Sequence, residues 1–416
     1  MSDPAATTAA QEALEAARLA PAPKPVDPDA LGNLTKALSP AARAPAARQV
    51  ALADVFSYPV ALKLAFLGAG QGGGRMAQSF WQHGYRRVAA FNTTASDFAD
   101  LAKEMPKLSL EVGGAAKDTV LALQHTKARR SEVYELLTRA WGNEAELAMI
   151  CVGLGGGSGS GACVQLVEEA RRFMTDKGKE PRVGAIVSLP TVSEGQQVCK
   201  NAVLAFRDLL RAKVAPLIVI DNAKIHQIYT PAIKQLYSTA NDTVSIFLHL
   251  FNRLAARTNG QITFDQSELR QLLDSGIVVM GAAAFAMEDI KSPADITARI
   301  REELNKNVLA AVDLRTSRKA ACVFLGNPAV LSVFSLDYFE AGFTYLDQIV
   351  GSAYPPGTPT VIHRGLYETT DEGLQCLTMF ADLAPPHEQL AALARKGVVG
   401  QAANSQSMAA FLGVKD

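Results

Sequence analysis

Hydrophobic positions in the middle of the chain alternate between short β-type runs and helix-type runs. The apolar runs are ALKLAFL, RRVAAFN, LAMICV, RVGAIVSL and PLIVID, and helix-type stretches such as MAQSFWQHG lie between them. This alternation is typical of βαβ units, which build a parallel sheet with helices on both faces. Ligands of such sheets bind at the carboxyl ends of the strands. We therefore predict an α/β fold whose site residues directly follow the strands.

A long helical pattern links this half of the chain to a second one. Residues 230–260 begin with Thr-Pro and end with Asn-Gly, and their apolar residues step by three and four. At roughly 1.5 Å per residue this predicts a helix of about 42 Å. Beyond it, IVVMGAAAF, KAACVFLGN, VLSVFSL and TVIHRGLYE predict strands, and residues 292–312 and 339–351 predict helices. We predict a second α/β domain that ends near Leu383.

The two ends of the chain differ in composition from its centre. Residues 1–58 are dominated by alanine and proline, which predicts a disordered arm with one short helical piece near 9–19. Residues 384–416 open with a proline pair and predict a mobile tail that holds a short helix. The two α/β domains then span 59–229 and 261–383.

Composition narrows the class of protein. The chain carries 41 basic and 41 acidic side chains and no long charged block, which argues against direct contact with nucleic acid or with a membrane surface. No apolar stretch approaches the roughly 18 residues of a membrane helix, and the N-terminus lacks a basic leader. Five scattered cysteines indicate a reducing compartment, and six histidines lack metal-ligand spacing. We expect a cytoplasmic protein without a structural metal site.

Two glycine loops follow predicted strands. The first, GAGQGGGR, places Gly68, Gly70 and Gly73 at the G-x-G-x-x-G spacing, and the second, GLGGGSGSGA, covers 153–162. Bare backbone at a strand-to-helix turn lets amide N–H groups wrap an anion, and the helix dipole favours phosphate there. A tight turn with flexible filler is the alternative, and the length of the second loop argues against it. Glycine or small-residue turns after several successive strands favour a nucleoside di- or triphosphate over a single anion.

Two common phosphate-binding motifs are incomplete in this chain. A dinucleotide site also needs an acidic residue about 20 residues after the glycines to hold the ribose, and here the second strand ends in Asn92. No G-K-[ST] follows either loop, which excludes a Walker-type P-loop. These absences argue against a nicotinamide-dependent oxidoreductase. They also predict that the phosphates are held mainly by backbone amides rather than by a lysine.

The loops resemble, in their order and spacing, those of the tubulin and FtsZ superfamily, with FtsZ nearer than eukaryotic tubulin. The resemblance covers roughly residues 62–383 and rests on LGAGQGGGR, FNTTASD, GGAAKD, GLGGGSGSGA, SLPTVSEG, VIDNAKI, YSTAND and ITFDQSELR. It implies a Rossmann-like GTP-binding domain, a long central helix and a C-terminal activation domain. It also implies GTP or GDP as ligand, Mg²⁺ as cation, and a divergent bacterial, plasmid or phage protein.

The resemblance implies a role for each loop. Glu194 would bind the ribose, Asn222 and Asn241 would read the guanine edge, and Tyr237 would stack on the base. Tyr237 and Asn241 are four residues apart on the predicted helix, so their side chains share one face. Core packing is the alternative for Tyr237, and solvent exposure or a local hydrogen bond for Asn241. The other residues implied to bind the nucleotide are Gly68, Gly70, Gln71, Gly72, Gly73, Gly74, Arg75, Asn92, Ala115, Ala116, Gly155, Gly156, Gly157, Ser158, Gly159 and Ser160.

Two positions depart from the family pattern. Arg75 stands where FtsZ proteins usually have asparagine, and Val198 stands where they usually have arginine, four residues after Glu194. These departures bear on nucleotide affinity more than on nucleotide class.

Hydrolysis of a γ-phosphate needs an oriented water molecule and a cation, and the glycine loops carry no candidate carboxylate. The resemblance implies that the next subunit supplies the acids, with Glu268 activating water and Asp265 supporting it and the cation. Asp265 and Glu268 also have the spacing of a helix N-cap and capping box, and the two roles are compatible. A site shared by two subunits implies a head-to-tail contact, which builds filaments.

The leading hypothesis is a GTPase that polymerises into cytoskeletal filaments and hydrolyses GTP when assembled. A nucleotide-binding scaffold or regulator of the same fold, with little polymerisation or turnover, is the alternative. We expect the main partner to be the chain itself, and an adaptor protein bound through the N-terminal arm or the C-terminal tail is a further candidate. The last residues, SMAAFLGVKD, resemble slightly the partner-recruiting peptide of FtsZ, with an ordinary mobile end as the alternative.

Overall fold

The computed structural model has the α/β architecture that the hydrophobic pattern predicts. The predicted arm lies outside the residues it describes, and so does the start of the predicted central helix at 230–232. The residues described are 59–228, 233–369, 373–399 and 405–413.

In the described residues, ten strands form one continuous sheet. They are β1 (Leu64–Ala69), β2 (Val88–Asn92), β3 (Lys107–Ser109), β4 (Leu147–Gly153), β5 (Val183–Leu189), β6 (Leu217–Asp221), β7 (Ile277–Phe285), β8 (Lys319–Gly326), β9 (Val361–Glu368) and β10 (Leu374–Leu383). Their order across the sheet is β3-β2-β1-β4-β5-β6-β7-β10-β8-β9. Strands β1 to β7 are parallel, and β10 is antiparallel to β7 and β8. The pairing of β6 with β7 carries the sheet across the predicted domain boundary.

Helices cover both faces of the sheet because alternate strand residues are buried on opposite sides. In β1, Ala65 and Leu67 belong to one hydrophobic core, and Leu64 and Phe66 belong to the other. Within the part of the chain that the structure describes, no helix is long and apolar enough to cross a membrane. The helices are α1 (Gly70–Gln82), α2 (Thr119–Ala128), α3 (Arg130–Trp141), α4 (Gly157–Asp176), α5 (Gln196–Arg211), α6 (Asn222–Ile228), α7 (Ile233–Leu254), α8 (Gln266–Leu273), α9 (Pro293–Asn307), α10 (Pro328–Val333), α11 (Leu336–Ile349), α12 (His387–Gly397) and α13 (Ser405–Leu412).

The structure corrects two predictions about secondary structure. The apolar run VLSVFSL lies in α10 and the start of α11 rather than in a strand. Asn327 caps α10 by accepting a hydrogen bond from the backbone N–H of Val330 at 2.7 Å, and a proline follows the cap, so local helix-start signals prevail over β propensity. The central helix α7 ends at Leu254, because tighter i to i−3 hydrogen bonds follow it. Its described residues, Ile233–Leu254, span about 33 Å.

The C-terminal segment is packed where the sequence predicts mobility. Helix α12 lies against α5, and α13 lies against both. Leu390, Leu393, Met408 and Leu412 are almost completely buried. The prediction of a mobile tail with one short helix is therefore wrong for the described part of that segment, because two short apolar faces find a partner surface on α5.

Candidate functional site

A cavity of about 580 Å³ opens at the carboxyl edge of the parallel strands. Its walls come from the ends of β1, β4, β5 and β6, the starts of α1, α4 and α6, and one side of α7. This is where ligands of parallel α/β sheets bind. The predicted site residues that line it are Gly70, Gln71, Gly72, Arg75, Gly156, Gly157, Ser158, Gly159, Glu194, Asn222 and Asn241.

Two helix N-termini meet in this cavity. Helix α1 starts at Gly70 and α4 at Gly157, and neither has a side-chain cap or an acidic residue in its first turn. The two turns approach closely, since a Cβ on Gly70 would lie 3.0 Å from the backbone nitrogen of Gly159. Uncapped N–H groups and two positive dipole ends therefore converge at one place, which is suited to a chain of phosphates.

Several of the predicted residues position these turns and do not line the cavity. A Cβ on Gly73 would overlap the carbonyl oxygen of Cys151, and one on Gly68 would lie 2.5 Å from the carbonyl oxygen of Gly73. The N–H of Gly155, whose φ is 110°, donates to Ser160 Oγ at 2.8 Å. The predicted residues outside the lining are Gly68, Gly73, Gly74, Asn92, Ala115, Ala116, Gly155 and Ser160.

A carboxylate that sequence reasoning missed lies in the cavity wall. Asp97 lines the cavity, and its Oδ2 accepts a hydrogen bond from Asn92 Nδ2 at 2.7 Å. Asn92 itself is buried behind it. Thr93 Oγ1 lies 2.6 Å from Ser158 Oγ, which ties the end of β2 to the first turn of α4. Asp97 is therefore a carboxylate that could hold a hydrated Mg²⁺ beside the phosphates; its place in FNTTASD is the signal that could have identified it.

The loop before α2 also contributes a residue that sequence reasoning missed. Ala116 and Lys117 both have positive φ values, 45° and 67°, and Lys117 lines the cavity. The backbone nitrogen of Lys117 lies 2.9 Å from where a Cβ on Gly157 would be. Asn201 Nδ2 donates to the carbonyl oxygen of Lys117 at 2.9 Å and to that of Gly155 at 3.1 Å. A lysine therefore lines the same cavity as the backbone amides of the two helix starts.

The far end of the cavity holds the polar side chains predicted for ribose and base. Asn222 is the first residue of α6 and is buried, and Asn241 is partly buried on α7. Glu194 lies on the rim, where its Oε1 accepts a hydrogen bond from the Thr191 N–H at 2.9 Å as part of a capping box. Tyr237 belongs to α7, and its side chain lies outside the described residues.

A buried aspartate, Asp221, lies next to Asn222 at the base end of the cavity. Asp221 ends β6, immediately before Asn222, and its Oδ1 accepts a hydrogen bond from the N–H of Ala223 at 2.9 Å. Burial raises the pKa of the Asp221 carboxyl above its usual range, although this hydrogen bond works in the opposite direction. Burial also lowers the pKa of the neighbouring Lys224. The start of α6 is thereby tied to the end of its strand.

The two positions that depart from the family pattern both lie in the cavity wall. Arg75 pairs with Asp100, with Nη2 and Oδ2 3.2 Å apart, at the solvent-exposed rim. Val198 is 8% exposed and packs beside Gly155, where its Cγ1 fills the space that a Cβ would need. The wall near Glu194 is therefore apolar where the family usually has a cation.

Asp265 and Glu268 form the predicted helix cap. Asp265 Oδ1 accepts a hydrogen bond from the Glu268 N–H at 2.9 Å, and Glu268 Oε2 accepts one from the Asp265 N–H at 3.0 Å. The other carboxylate oxygen of Glu268 lies 3.1 Å from Nδ1 of the buried His363 on β9. Asp265 is exposed and Glu268 is partly exposed, so both remain accessible while their carboxylates are held in place.

The capped helix lies at the edge of the sheet opposite to the cavity. Gln266 Nε2 donates to the carbonyl oxygen of Ala61 at 2.7 Å, and Arg270 Nη2 donates to Glu146 Oε1 at 2.9 Å. Ala61 and Glu146 precede β1 and β4, so these contacts mark the amino ends of the strands. The six residues of β1 span about 20 Å at roughly 3.3 Å per residue. Within one chain the acidic pair therefore does not meet the cavity.

The sequence of the chain is similar to those of known tubulin-like proteins. Residues 63–230 match the model of the Tubulin/FtsZ family, GTPase domain. The chain is 23% identical over 299 residues to the tubulin-like protein TubZ of Bacillus cereus, covering 65% of this chain and 67% of TubZ. It is 29% identical over 176 residues to the tubulin-like protein CetZ1 of Haloferax volcanii, covering 39% of this chain and 43% of CetZ1.

Solved structures share the fold. GDP-form protofilaments of TubZ from Bacillus thuringiensis serovar israelensis match with a TM-score of 0.67 at 20% identity, covering 86% of this chain and 96% of TubZ. A GTPγS-bound protofilament of CetZ2 from Haloferax volcanii matches with a TM-score of 0.65 at 20% identity, covering 81% and 98%. The predicted resemblance and fold class are confirmed: residues 63–230 match the model of the tubulin/FtsZ family's GTPase domain, and the chain shares the fold of the solved TubZ and CetZ2 structures.

Proposed function

We propose that the chain binds GTP, hydrolyses it to GDP and phosphate, and polymerises head-to-tail into filaments. The observation that carries this proposal is the placement of the cavity and the acidic pair on opposite edges of one sheet. Copies stacked along the strand direction would bring the acidic edge of one subunit onto the cavity of the next. Such a heterologous contact does not close on itself, and it completes the site only in the polymer.

The two ends of the cavity suit the two ends of GTP. The N-termini of α1 and α4 take the phosphates, and Asp97 would hold a hydrated Mg²⁺, which would offset the phosphate charge. Asn222 and Asn241 face the base, because their amides can accept from the N1–H and amino group of guanine and donate to O6. Glu194 lies between these ends on the rim and accepts from a ribose hydroxyl.

Hydrolysis then uses the acidic pair of the next subunit. A water oxygen attacks the γ-phosphorus, the bond to the β–γ bridging oxygen breaks, GDP leaves, and the water proton passes to a carboxylate or to a phosphate oxygen. Glu268 orients and activates this water, and Asp265 supports it and the cation. The capping box and His363 hold the Glu268 carboxylate in one direction, which is the preorganisation that this role requires.

The first test measures right-angle light scattering and phosphate release together, with Mg²⁺ and GTP, ATP or no nucleotide. We expect GTP alone to raise scattering and phosphate release to rise steeply with protein concentration. Glu268→Gln should keep the filaments and lose turnover. The matched control is Glu388→Gln, which changes another exposed first-turn glutamate, on α12, and should leave both signals unchanged. Wild-type monomers that release phosphate as fast as filaments do would contradict the proposal.

A mixing experiment tests whether the acids act on the neighbouring subunit. Gly156→Asp places a carboxylate at the phosphate end; no atom of the described residues lies within 4 Å of the new Cβ, so the fold should tolerate it. Such subunits keep intact acids, whereas Glu268→Gln subunits keep an intact cavity. Each variant alone should release little phosphate, and the mixture should regain turnover. Copolymers without regained turnover would show that the acids do not act in trans.

Two wall residues favour a second candidate function, a nucleotide-binding scaffold that turns over little GTP. Arg75 is engaged with Asp100, and Val198 offers no charge near Glu194, so this part of the wall has no cation where the family pattern has an arginine. This candidate would be supported if GTP stayed unhydrolysed in a filament preparation, or stayed bound and unhydrolysed on monomeric protein.

A further inference from the structure

One cation in the cavity is left for a ligand. The charged side chains that line the cavity, among the described residues, are Arg75, Asp97, Lys117 and Glu194. Arg75 is paired with Asp100, and the two acids accept local hydrogen bonds. Across the described part of the chain, the Lys117 ammonium has neither an ion pair nor a hydrogen bond, and its side chain is exposed to solvent.

The backbone of Lys117 is fixed beside the phosphate end of the cavity. Its nitrogen and Cα lie 2.9 Å from where a Cβ on Gly157, the first residue of α4, would be. Its carbonyl oxygen is held by Asn201, which also holds the loop that leads into α4. Its φ of 67° is uncommon for a residue with a side chain. The polypeptide thus keeps a lysine in a strained conformation at a position where glycine would fit without strain.

Resting on the GTP binding proposed above, we propose that Lys117 binds the terminal phosphate and makes the site prefer nucleoside triphosphate over diphosphate. The lysine lies beside the start of α4, whereas Asn222 and Asn241 mark the opposite, base end of the cavity. The terminal phosphate, which lies farthest from the base, is therefore the phosphate nearest to Lys117. An ammonium is a compact charge with three donors, and it pairs strongly with phosphate oxygens.

The test compares affinities for GTPγS and GDP, each with Mg²⁺, by isothermal titration. Lys117→Gln removes the charge at an unchanged backbone, and we expect the affinity for GTPγS to fall about tenfold and that for GDP about twofold or less. Lys117→Arg should retain the preference. The control is Lys213→Gln, because Lys213 is also exposed with a positive φ, 51°, and lies outside the cavity wall; both of its affinities should stay unchanged.

Equal losses for the two nucleotides, or no loss for either, would overturn the inference. Lys117→Gly provides a second variant, since glycine adopts the positive φ without strain; it must show the same selective loss, which separates the charge from any effect on folding. Wild-type protein that binds neither nucleotide would refute the proposed function itself. Wild-type protein that binds both, with an unchanged ratio in Lys117→Gln, would refute the role of Lys117 alone.

Discussion

Asn201 joins two loops of the cavity, and its removal should weaken both the fold and nucleotide binding. The side chain is 3% exposed, and its Nδ2 donates to the carbonyl oxygens of Lys117 and Gly155, at 2.9 Å and 3.1 Å. Its Oδ1 accepts a hydrogen bond from Gln197 Nε2 at 2.9 Å. One amide therefore holds the loop before α2 and the loop before α4 in register with each other.

The magnitude follows from the two donated hydrogen bonds. Each contributes about 1 kcal/mol to stability, and a buried carbonyl left without a donor costs about 1–3 kcal/mol. Asn201→Ala should therefore lower the free energy of unfolding by about 2–4 kcal/mol. If about half of that energy also holds the loops in their binding geometry, nucleotide affinity falls about tenfold, which corresponds to 1.4 kcal/mol.

Urea denaturation and a nucleotide titration measure the two effects separately. Gln197→Ala is the matched control, because it removes only the bond to Asn201 Oδ1 from an exposed position, and it should change stability by about 0.5 kcal/mol or less. An Asn201→Ala protein that unfolds and binds nucleotide like wild type would refute the reasoning. Equal effects of the two substitutions would also refute it, because the two hydrogen bonds that Asn201 donates would then contribute no more to stability than the one it accepts.

Three further substitutions test other parts of the structure. Gly73→Ala should prevent folding, because its Cβ would overlap the carbonyl oxygen of Cys151; a monodisperse, cooperatively melting variant would contradict this. Tyr367→Phe should lower the free energy of unfolding, measured by urea denaturation, by about 1–3 kcal/mol. The reason is that Tyr367 Oη accepts a hydrogen bond from the N–H of Phe264 and donates one to its carbonyl oxygen. The same substitution should slow turnover, because it loosens the turn before the acidic pair. Burial raises the pKa of the Asp221 carboxyl above its usual range, so folding is penalised once this group ionises. The melting temperature of Asp221→Asn relative to that of wild type should therefore rise as the pH increases above about 4, the ordinary pKa of an aspartate, and a difference that stays constant would count against this reasoning.

Most strands and the nucleotide loops could be predicted from the sequence because their signals are local. The glycine loops must be free of side chains where backbones touch, and this requirement leaves a direct trace in residue type. The capping box of Asp265 and Glu268 was visible from spacing alone, and the structure contains it. Strand β10 was missed, although its apolar residues lie in the middle of the sheet, because nothing local distinguishes such a run from other buried segments.

Residues that enter the cavity from outside the glycine loops could not be predicted in this way. Asp97 and Lys117 reach the phosphate end from loops after β2 and before α2, and only the packing of those loops against α4 places them there. The same reason explains why the packing of the C-terminal helices was not predicted. Their apolar faces are short, and they are buried only because α5 lies against them in the folded chain.

The sequence by itself determined the alternation of strands and helices, the turns that need glycine, and the resemblance of residues 63–230 to the GTPase domain of the tubulin/FtsZ family. These depend on backbone sterics and on hydrophobic periodicity, which act between near neighbours in the chain. The tertiary structure alone decided which charges share the cavity, and that Asp265 and Glu268 lie at the opposite edge of the sheet. Those relations join residues far apart in the chain, and only the order and direction of the strands determine them.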